Sequence, residues 1–351
     1  MQRLAVSVII PTYNRATLVP RAVASALAAM SPADEVIVVD DGSTDGTEQV
    51  LSQFRSRIRY TRAQHGGAGA ARNFGIDQAR NPLVAFLDSD DEWMPDKLAL
   101  QRALLERRPD VLFCFSDFGV RTRKGEERRY LQNWHQDPRP WDDILGRGVP
   151  FSTLAPLPMG RPDFPVHIGD LYLPYMERPY VMTITVVARR EQAADALRFP
   201  DDLPTYEDWV CFARLARRGP AAYLDCETAW QHGHDGPRLT DANDYVRASS
   251  RLAILRRVWG ADDTFLARHR GRYEQVVADQ HLIRARALLA HGKTHEARAE
   301  LDFAGGGPII YRLLASLPAS LTRGLIRTRR AQSWAHGCLA ALMRMVVECL
   351  Q

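Results

Sequence analysis

The stretch "EVIVVDDGSTDGT", residues 35–47, contains a continuous apolar run that ends in two aspartates and a turn-forming segment. Two other runs share this pattern: "AVSVII" at 5–10 is followed by "PTYNR", and "LVAFLD" at 83–88 is followed by "SDDEW". Strands that are apolar at every position are typical of parallel sheets covered by helices on both faces. The sequence therefore predicts a mostly parallel sheet with polar residues where its strands end.

Strand and helix patterns alternate over about the first 115 residues. The alternation predicts a doubly wound α/β sheet, in which ligands bind beyond the carboxyl ends of the strands. Helices are expected near 16–30, 44–55, 68–80, 95–107 and 206–219, and further strands at 57–62, 110–115, 180–190 and 221–227.

The segment 116–180 is rich in proline, tryptophan and tyrosine. We expect little regular structure there, and long irregular segments in compact domains often act as binding loops or lids. From about 241 onward the pattern is helical, with Gly and Pro as breaks.

Composition excludes several classes of protein. The chain has 351 residues, 46% hydrophobic and 25% charged, with a net charge of +4, which gives no reason to expect nucleic-acid binding. The five cysteines form no CxxC pair, which favours free thiols in a reducing, cytoplasmic compartment. The N-terminus lacks the features of a signal peptide and is expected to be a buried strand. No apolar run approaches the ~18 residues of a membrane span.

Asp40 and Asp41 follow a buried strand, where a turn and a helix cap would account for part of the polar cluster. Ser43 or Thr44 is expected to cap the next helix. A cap does not explain Asp40, whose carboxylate could accept hydrogen bonds from a base or a ribose. Both interpretations of Asp40 stay open on spacing alone.

The segment "LDSDDEWMPDKL" (87–98) crowds acidic residues at the end of another strand. Asp88 and Asp90 are two apart and therefore share a side of an extended chain, a pattern that favours binding of a hard divalent cation such as Mg²⁺ or Mn²⁺. Asp91 and Glu92 are instead expected to serve the N-terminal end of the following helix.

Three further segments are ambiguous by themselves. "QHGGAGAARNFGI" (64–76) could cradle a phosphate or permit close helix packing, and Arg72 stands where a dinucleotide fingerprint needs its third glycine. In "LPTYEDW" (203–209) the spacing of Thr205 and Asp208 favours a capping box. The histidines of "WQHGHDG" (230–236) are either metal ligands or loop residues.

Together, "SVIIPTYNR", "VIVVDDGSTDGT", "GGAGAARNFGI", "VAFLDSDDEWMPDKL" and "YEDWVCFARLARRG" resemble glycosyltransferase family 2, with its GT-A fold, in order and spacing over about residues 5–236. The resemblance implies a GT-A domain over 1–236, with a nucleotide-sugar-binding half at 1–115 and an acceptor-binding and catalytic half at 116–236. Residues 237–351 are expected to form a helical C-terminal region.

The resemblance also implies site roles. Pro11, Thr12 and Tyr13 would line the nucleoside pocket, Asp40 would recognise the base, and Arg72 would lie near the nucleotide. Asp88 and Asp90 match the family's DXD motif, with Asp90 as the metal ligand and Asp88 on ribose or metal. His234, or His232, would lie near the diphosphate or metal.

The implied reaction is an inverting sugar transfer from a nucleoside diphosphate donor, most often a UDP-sugar, to a hydroxyl of a glycan or lipid-linked acceptor. A divalent cation, Mn²⁺ or Mg²⁺, would assist the leaving diphosphate. Asp208 matches the catalytic base, and we expect it to stay ionised at neutral pH because it begins a helix. The Gln-x-x-Arg-Trp motif of processive family members is missing, which favours addition of a single sugar.

Two other functions would fit an α/β sheet of this kind. One is sugar nucleotidyl transfer, which does not explain "YEDW", and the other is non-catalytic binding of nucleotides or glycans. Residues 311–351 are rich in arginine, with apolar spacing at Leu339, Leu342, Met343, Val346 and Leu350. This pattern indicates either a helix packed on the catalytic domain or an amphipathic surface for peripheral contact with an anionic membrane.

Overall fold

The apolar runs of the sequence form neighbouring strands of one sheet. The computed structural model describes residues 4–131, 137–203, 205–233 and 243–322. The strands are β1 (Val6–Thr12), β2 (Glu35–Asp40), β3 (Arg59–Arg62), β4 (Leu83–Phe86), β5 (Glu92–Trp93), β6 (Phe113–Thr122), β7 (Gly125–Glu127), β8 (Val149–Pro150), β9 (Pro165–Gly169), β10 (Val187–Arg189) and β11 (Ala221–His232). Their order is β3-β2-β1-β4-β10-β6-β11-β9-β8, with β5 on β11 and β7 on β6.

Parallel pairing dominates the half of the sheet that carries the sequence motifs. Strand β1 lies between β2 and β4 and is parallel to both, and β3 is parallel to β2. Strand β10 runs antiparallel between β4 and β6, whereas β6 and β11 are again parallel. Central residues such as Val8, Val38 and Phe86 are fully buried. The prediction of a mostly parallel sheet with helices is confirmed.

The helices lie close to the predicted positions. They are α1 (Val19–Ala29), α2 (Thr47–Leu51), α3 (Gly67–Gln78), α4 (Lys97–Arg107), α5 (Trp141–Leu145), α6 (Tyr172–Glu177), α7 (Arg190–Ala193), α8 (Glu207–Arg218), α9 (Asp244–Val258), α10 (Asp263–Ala290), α11 (Thr294–Phe303) and α12 (Ile309–Ser316). In α1 the residues Val19, Val23 and Ala26 are buried, because a spacing of three and four residues places them on one helix face.

The segment 116–180 contains more regular structure than expected. Strand β6 continues to Thr122, and β9 pairs antiparallel with β11. The strand expected over 180–190 is confined to β10 and is preceded by a 3-10 turn at Thr183–Thr185. Pairing with strands distant in sequence decides these elements, and single-sequence patterns do not reveal it.

The predicted cap of the second helix is wrong. Helix α2 begins at Thr47 after Gly46, and no side chain caps it from the N-cap position. The hydroxyl of Ser43 instead accepts a hydrogen bond from the Asn14 amide at 2.9 Å. The Asn14 side-chain oxygen in turn accepts from the Thr44 amide at 2.8 Å. These two contacts join the loop after β1 to the loop after β2.

The chain divides into two units, Met1–Leu239 and Thr240–Gln351. The second unit contains α9 to α12, and its core includes Leu288, Leu289, Leu301 and Leu314. The apolar positions predicted between Leu339 and Leu350 lie outside the described residues. Among the described helices, none combines the length and the apolar character needed to span a bilayer.

Candidate active site

The polar clusters that follow β1, β2 and β4 meet at one edge of the sheet. Thr12 at the end of β1 pairs with Asp40 at the end of β2. On the other side of β1, the Leu87 amide donates to the Ile9 carbonyl at 3.0 Å, so Asp88 emerges beside the same edge. Three parallel strands therefore deliver Thr12, Asp40 and Asp88 to the place where sheets of this kind bind ligands.

The expected nucleoside pocket is bounded by an exposed aromatic pair. Pro11 and Thr12 are buried within β1, whereas the Tyr13 side chain is 43% exposed. Its ring stacks on that of His65, with ring centroids 4.4 Å apart. His65 Nδ1 lies 2.9 Å from Asp41 Oδ2. Of the three residues predicted for this pocket, Tyr13 presents a flat surface on which a base could stack.

Asp40 is fully buried, and both of its carboxylate oxygens are engaged. Oδ1 accepts from the Ser43 amide at 2.7 Å, and Oδ2 accepts from the Tyr60 hydroxyl at 2.6 Å. Burial and the Asp40 carboxylate raise the pKa of Tyr60. Gly42, which lies between Asp40 and Ser43 in the chain, has φ +84°, a conformation that favours glycine. These contacts order the loop after β2, and recognition of a base by Asp40 stays a prediction.

Arg72 on α3 joins two carboxylates that are far apart in sequence. Nη1 donates to Glu207 Oε1 at 2.8 Å, and Nη2 donates to Asp88 Oδ1 at 2.7 Å. The guanidinium also lies over the Phe199 ring, 5.2 Å from its centroid. Burial opposes the charge, but Asp88 and Glu207 outweigh it and raise the pKa of Arg72. Arg72 thus links the strand end at Asp88 to the start of helix α8.

Asp88 and Asp90 fit a divalent cation shared with a substrate. Their side chains are 26% and 22% exposed, and Asp90 Oδ2 lies 3.9 Å from Arg15 Nη2. Over the described residues, no set of three or more His, Cys, Asp or Glu side chains converges as a metal site. Mg²⁺ and Mn²⁺ often take one or two carboxylates and complete their shells with phosphates and water. The donor set therefore suits a cation that binds together with a diphosphate.

The expectation that Asp91 and Glu92 serve the next helix is wrong. Glu92 belongs to β5, where it pairs with Trp230, and Asp91 Oδ1 accepts from the His232 amide at 2.9 Å. His232 Nε2 lies 2.9 Å from Glu92 Oε2. These acidic residues hold the end of β11 against the loop that carries Asp90. His234 lies outside the described residues.

His232, the last residue of β11, has an unusual electrostatic environment. Burial, followed by the charge of Arg21, lowers the pKa of His232 although Glu92 acts in the opposite direction. Arg21 donates to the backbone carbonyl of Asp90. The imidazole is thus kept neutral beside the Asp90 loop, which is the form able to accept a hydrogen bond or bind a metal.

Asp208 occupies the first turn of α8, but the predicted capping box is wrong. The residue at the N-cap is Tyr206, with φ 67, and no side chain caps the helix from that position. Asp208 Oδ1 accepts from the Trp209 amide at 2.8 Å, and Oδ2 accepts from the Thr183 hydroxyl at 3.1 Å. Both oxygens of the carboxylate are therefore held by neighbouring donors.

Burial, followed by the adjacent charge of Glu207, raises the pKa of Asp208 to about 7. The guanidinium of Arg72 and the two donors just described act in the opposite direction. The charge of Asp208 in turn raises the pKa values of Tyr175 and Cys211, after their burial. The expectation that Asp208 stays ionised at neutral pH is wrong, because a pKa of about 7 leaves only part of it ionised there. The helix N-terminus is outweighed by desolvation and a neighbouring carboxylate. A pKa near neutrality suits a general base.

Sequence patterns did not reveal three residues at this edge of the sheet. Glu207 lies at the start of a predicted helix, and that pattern does not indicate its ion pair with Arg72. His65 lies in the glycine-rich segment, whose pattern does not indicate that its ring stacks on that of Tyr13. Thr183 lies within a predicted strand, and nothing in the local pattern indicated its contact with Asp208.

Residues 7–153 match the family model described as Glycosyl transferase family 2. The match confirms the resemblance for the four motifs that lie between residues 7 and 98, which include Thr12, Asp40, Arg72 and Asp90. The fifth motif, which contains Asp208, lies beyond the matched residues. The chain therefore contains a family 2 glycosyl transferase region.

Two curated relatives align with about a third of this chain. An "Uncharacterized glycosyltransferase" of Rickettsia felis is 36% identical over 132 residues, 37% of this chain and 21% of the relative. WfgD of Escherichia coli, a UDP-Glc:alpha-D-GlcNAc-diphosphoundecaprenol beta-1,3-glucosyltransferase, is 32% identical over 122 residues, 34% of this chain and 48% of the relative. The chain thus spans between about a fifth and a half of the length of these relatives.

Two solved structures resemble nearly the whole chain. S. aureus TarS 1–349 in complex with UDP-GlcNAc has a TM-score of 0.57 and 21% identity, over 93% of this chain and 88% of that chain. The mannosyltransferase PcManGT from Pyrobaculum calidifontis, in complex with GDP-Man and Mn2+, has a TM-score of 0.52 and 20% identity, over 95% of this chain and 82% of that chain. At this identity the likeness establishes the fold, and the GT-A assignment is confirmed.

Proposed function

We propose that this chain, with its family 2 glycosyl transferase region, is an inverting glycosyltransferase that uses a nucleoside diphosphate sugar, most often a UDP-sugar. One observation carries the proposal. Arg72 donates to Asp88 of the DSD segment, residues 88–90, and to Glu207, the residue next to Asp208. A donor-side carboxylate and a carboxylate suited to act as base are therefore parts of one site.

The proposed reaction needs one proton acceptor. As the acceptor hydroxyl attacks the anomeric carbon, its O–H bond breaks and a new C–O bond forms on the face opposite the leaving group. The proton passes to an oxygen of Asp208, and the electron pair of the broken anomeric C–O bond leaves with the nucleoside diphosphate. One displacement of this kind inverts the anomeric configuration. Asp208, with its pKa near neutrality, is ionised often enough at neutral pH to take the proton.

Asp90 and Asp88 would hold a divalent cation, Mn²⁺ or Mg²⁺, which when bound neutralises charge on the departing diphosphate. Tyr13 would stack on the base, and Asp40 would keep the adjoining loop in place while recognising the nucleoside. The structure of PcManGT holds GDP-Man and Mn2+, and that of TarS holds UDP-GlcNAc, which supports a nucleotide-sugar donor for this chain. Among the possible nucleotides of that donor, we propose UDP first.

We further propose a glycan or lipid-linked saccharide as acceptor and addition of a single sugar. The name of WfgD gives that relative a diphosphoundecaprenol-linked acceptor, and such an acceptor resides at a membrane. In this chain Ile309 and Leu313 of α12 are 68% and 41% exposed, one helical turn apart. This apolar strip overlaps in sequence the arginine-rich segment 311–351, and the combination would suit peripheral contact with the cytoplasmic face of a membrane.

A nucleotide screen followed by one substitution tests the proposal. Melting temperatures would be measured with UDP, GDP and TDP, with and without Mn²⁺, and stabilisation that depends on both components is expected for one diphosphate. Release of that diphosphate from its sugar donor would then be measured for Asp208→Asn, where we expect a loss of about a hundredfold or more with donor binding retained.

Three results would contradict the proposal. Normal turnover by Asp208→Asn would exclude Asp208 as base. Formation of a nucleotide sugar from a sugar phosphate and a nucleoside triphosphate would indicate nucleotidyl transfer. The lack of any response to every nucleotide would favour a non-catalytic binding protein.

A further inference from the structure

The 3-10 turn at Thr183–Thr185 is fixed by side chains that follow the DSD segment. Trp93 Nε1 donates to the Ile184 carbonyl at 2.8 Å. Lys97 Nζ and Gln101 Nε2 both donate to the Thr185 carbonyl, at 2.9 Å and 2.7 Å. Lys97 and Gln101 are four residues apart on α4 and therefore share a helix face. Three donors from one stretch of chain thus converge on two successive carbonyls of the turn.

Lys97 is an unusual residue for such a place. Its side chain is fully buried, and it lies over the Trp93 ring at 4.9 Å. Its other partner is Gln101 Oε1, an amide oxygen without a formal charge, and no carboxylate of the described residues is among the causes that shift its pKa. Burial lowers the pKa of Lys97 to about 7. Because burying an amine without a counter-charge is unfavourable, stability alone does not explain a lysine here.

The turn holds Thr183 against the proposed base. Thr183 is 3% exposed, and its hydroxyl donates to Asp208 Oδ2 at 3.1 Å. Thr185 behaves differently, because its hydroxyl donates to the Met182 carbonyl within the turn. Since the Trp209 amide holds the other oxygen of Asp208, the carboxylate cannot rotate without losing a hydrogen bond.

We propose that Thr183 is a positioning residue for Asp208, and that Trp93, Lys97 and Gln101 hold the turn that presents it. The inference rests on the proposed function, in which Asp208 is the base. According to this inference, the segment "DSDDEWMPDKLALQ" (88–101) has two roles. Its first residues face the donor, and its later residues fix the orientation of the base. Donor side and base side are therefore built from one continuous segment.

Substitution of the hydroxyl tests the role of Thr183. Thr183→Val keeps the shape but removes the donor, so kcat should fall by about tenfold while KM for the donor changes less than twofold. The acid limb of the kcat/KM profile should move to higher pH, because the Thr183 hydrogen bond lowers the pKa of Asp208. Thr183→Ser keeps the hydroxyl donor and should restore both kcat and the position of the acid limb. Thr322→Val removes another fully buried threonine donor, in the second unit, and should leave kcat and the acid limb unchanged.

The outcomes separate this inference from the proposed function. Turnover by Asp208→Asn equal to that of the unsubstituted chain would overturn both. An inactive Asp208→Asn together with a Thr183→Val variant of unchanged kcat and pH profile would overturn only the role of Thr183. Equal losses in Thr183→Val and Thr183→Ser would also overturn it, because the hydroxyl would then be irrelevant. If Thr183→Val does not fold, Thr183→Ala is measured in its place with the same expectation.

Discussion

Arg72 and Glu207 are 135 residues apart in the chain, yet Arg72 Nη1 donates to Glu207 Oε1 at 2.8 Å. The second Nη atom of Arg72 donates to Asp88, so the rigid guanidinium fixes the two carboxylates relative to one another. Glu207 directly precedes Asp208, and its charge contributes, after burial, to the raised pKa of Asp208. The ion pair therefore connects the donor side of the site to the protonation of the base.

Replacing Glu207 by Gln should extend activity to lower pH. In the unsubstituted chain, kcat/KM should fall as the pH drops through about 7, because Asp208 takes up a proton. Glu207→Gln removes a neighbouring negative charge, so the pKa of Asp208 should fall, and the acid limb should move down by on the order of one pH unit. Glu191→Gln, at an exposed glutamate of α7, serves as control and should keep the original profile. An acid limb that stays in place or moves up would contradict the prediction.

Asp90→Asn should abolish the metal-dependent part of nucleotide binding. Substitution leaves the shape of the loop but removes the negative charge that a divalent cation requires. The rise in melting temperature caused by UDP with Mn²⁺ should then shrink to the rise caused by UDP alone. Asp110→Asn, at an exposed aspartate paired with Arg108, should keep the full response. Full metal-dependent stabilisation in Asp90→Asn would remove Asp90 from the metal site.

Contact with anionic membranes should depend on the C-terminal arginines. A chain that ends after Thr322 keeps α12 and the core of the second unit but loses most arginines of segment 311–351. Each basic residue near an anionic surface contributes roughly 1 kcal/mol, so the full chain should sediment with anionic vesicles and the shortened chain should bind much less. Neither chain should sediment with vesicles of neutral lipid, and high salt should release both chains from anionic vesicles. Equal binding by the two chains would place the contact elsewhere.

The sequence predicted the edge of the sheet where the site lies. Apolar runs that end in Thr12, Asp40 and Asp88 are local patterns, and parallel strands bring such ends together wherever the sheet is doubly wound. The contacts of Asp91 and Glu92 are not predictable in this way. They depend on β5 pairing with Trp230, at the far end of β11, and no local signal in a two-residue strand specifies that partner.

Local sequence patterns also do not predict the environment of Asp208. A carboxylate in the first turn of a helix ordinarily has a favourable environment for its charge. Around Asp208 that effect is opposed by burial and by Glu207, and its hydrogen-bond donor Thr183 lies 25 residues away. Such contacts follow from the antiparallel insertion of β10 between β4 and β6, which the sequence predicted as a strand without indicating its direction.

The buried Lys97 should make stability rise with pH above neutrality. Its pKa is about 7 in the folded chain and about 10.5 when unfolded, so between these values the unfolded chain binds more protons. Folding stability from this group therefore increases with pH over that interval, by on the order of 2 kcal/mol between pH 7 and pH 9. In Lys97→Met this rise should disappear, whereas Lys124→Met, at an exposed lysine, should retain it. Denaturant unfolding of the three chains at pH 7, 8 and 9 measures the difference. Parallel pH dependence in Lys97→Met and the unsubstituted chain would show that the amine is not desolvated in the folded state.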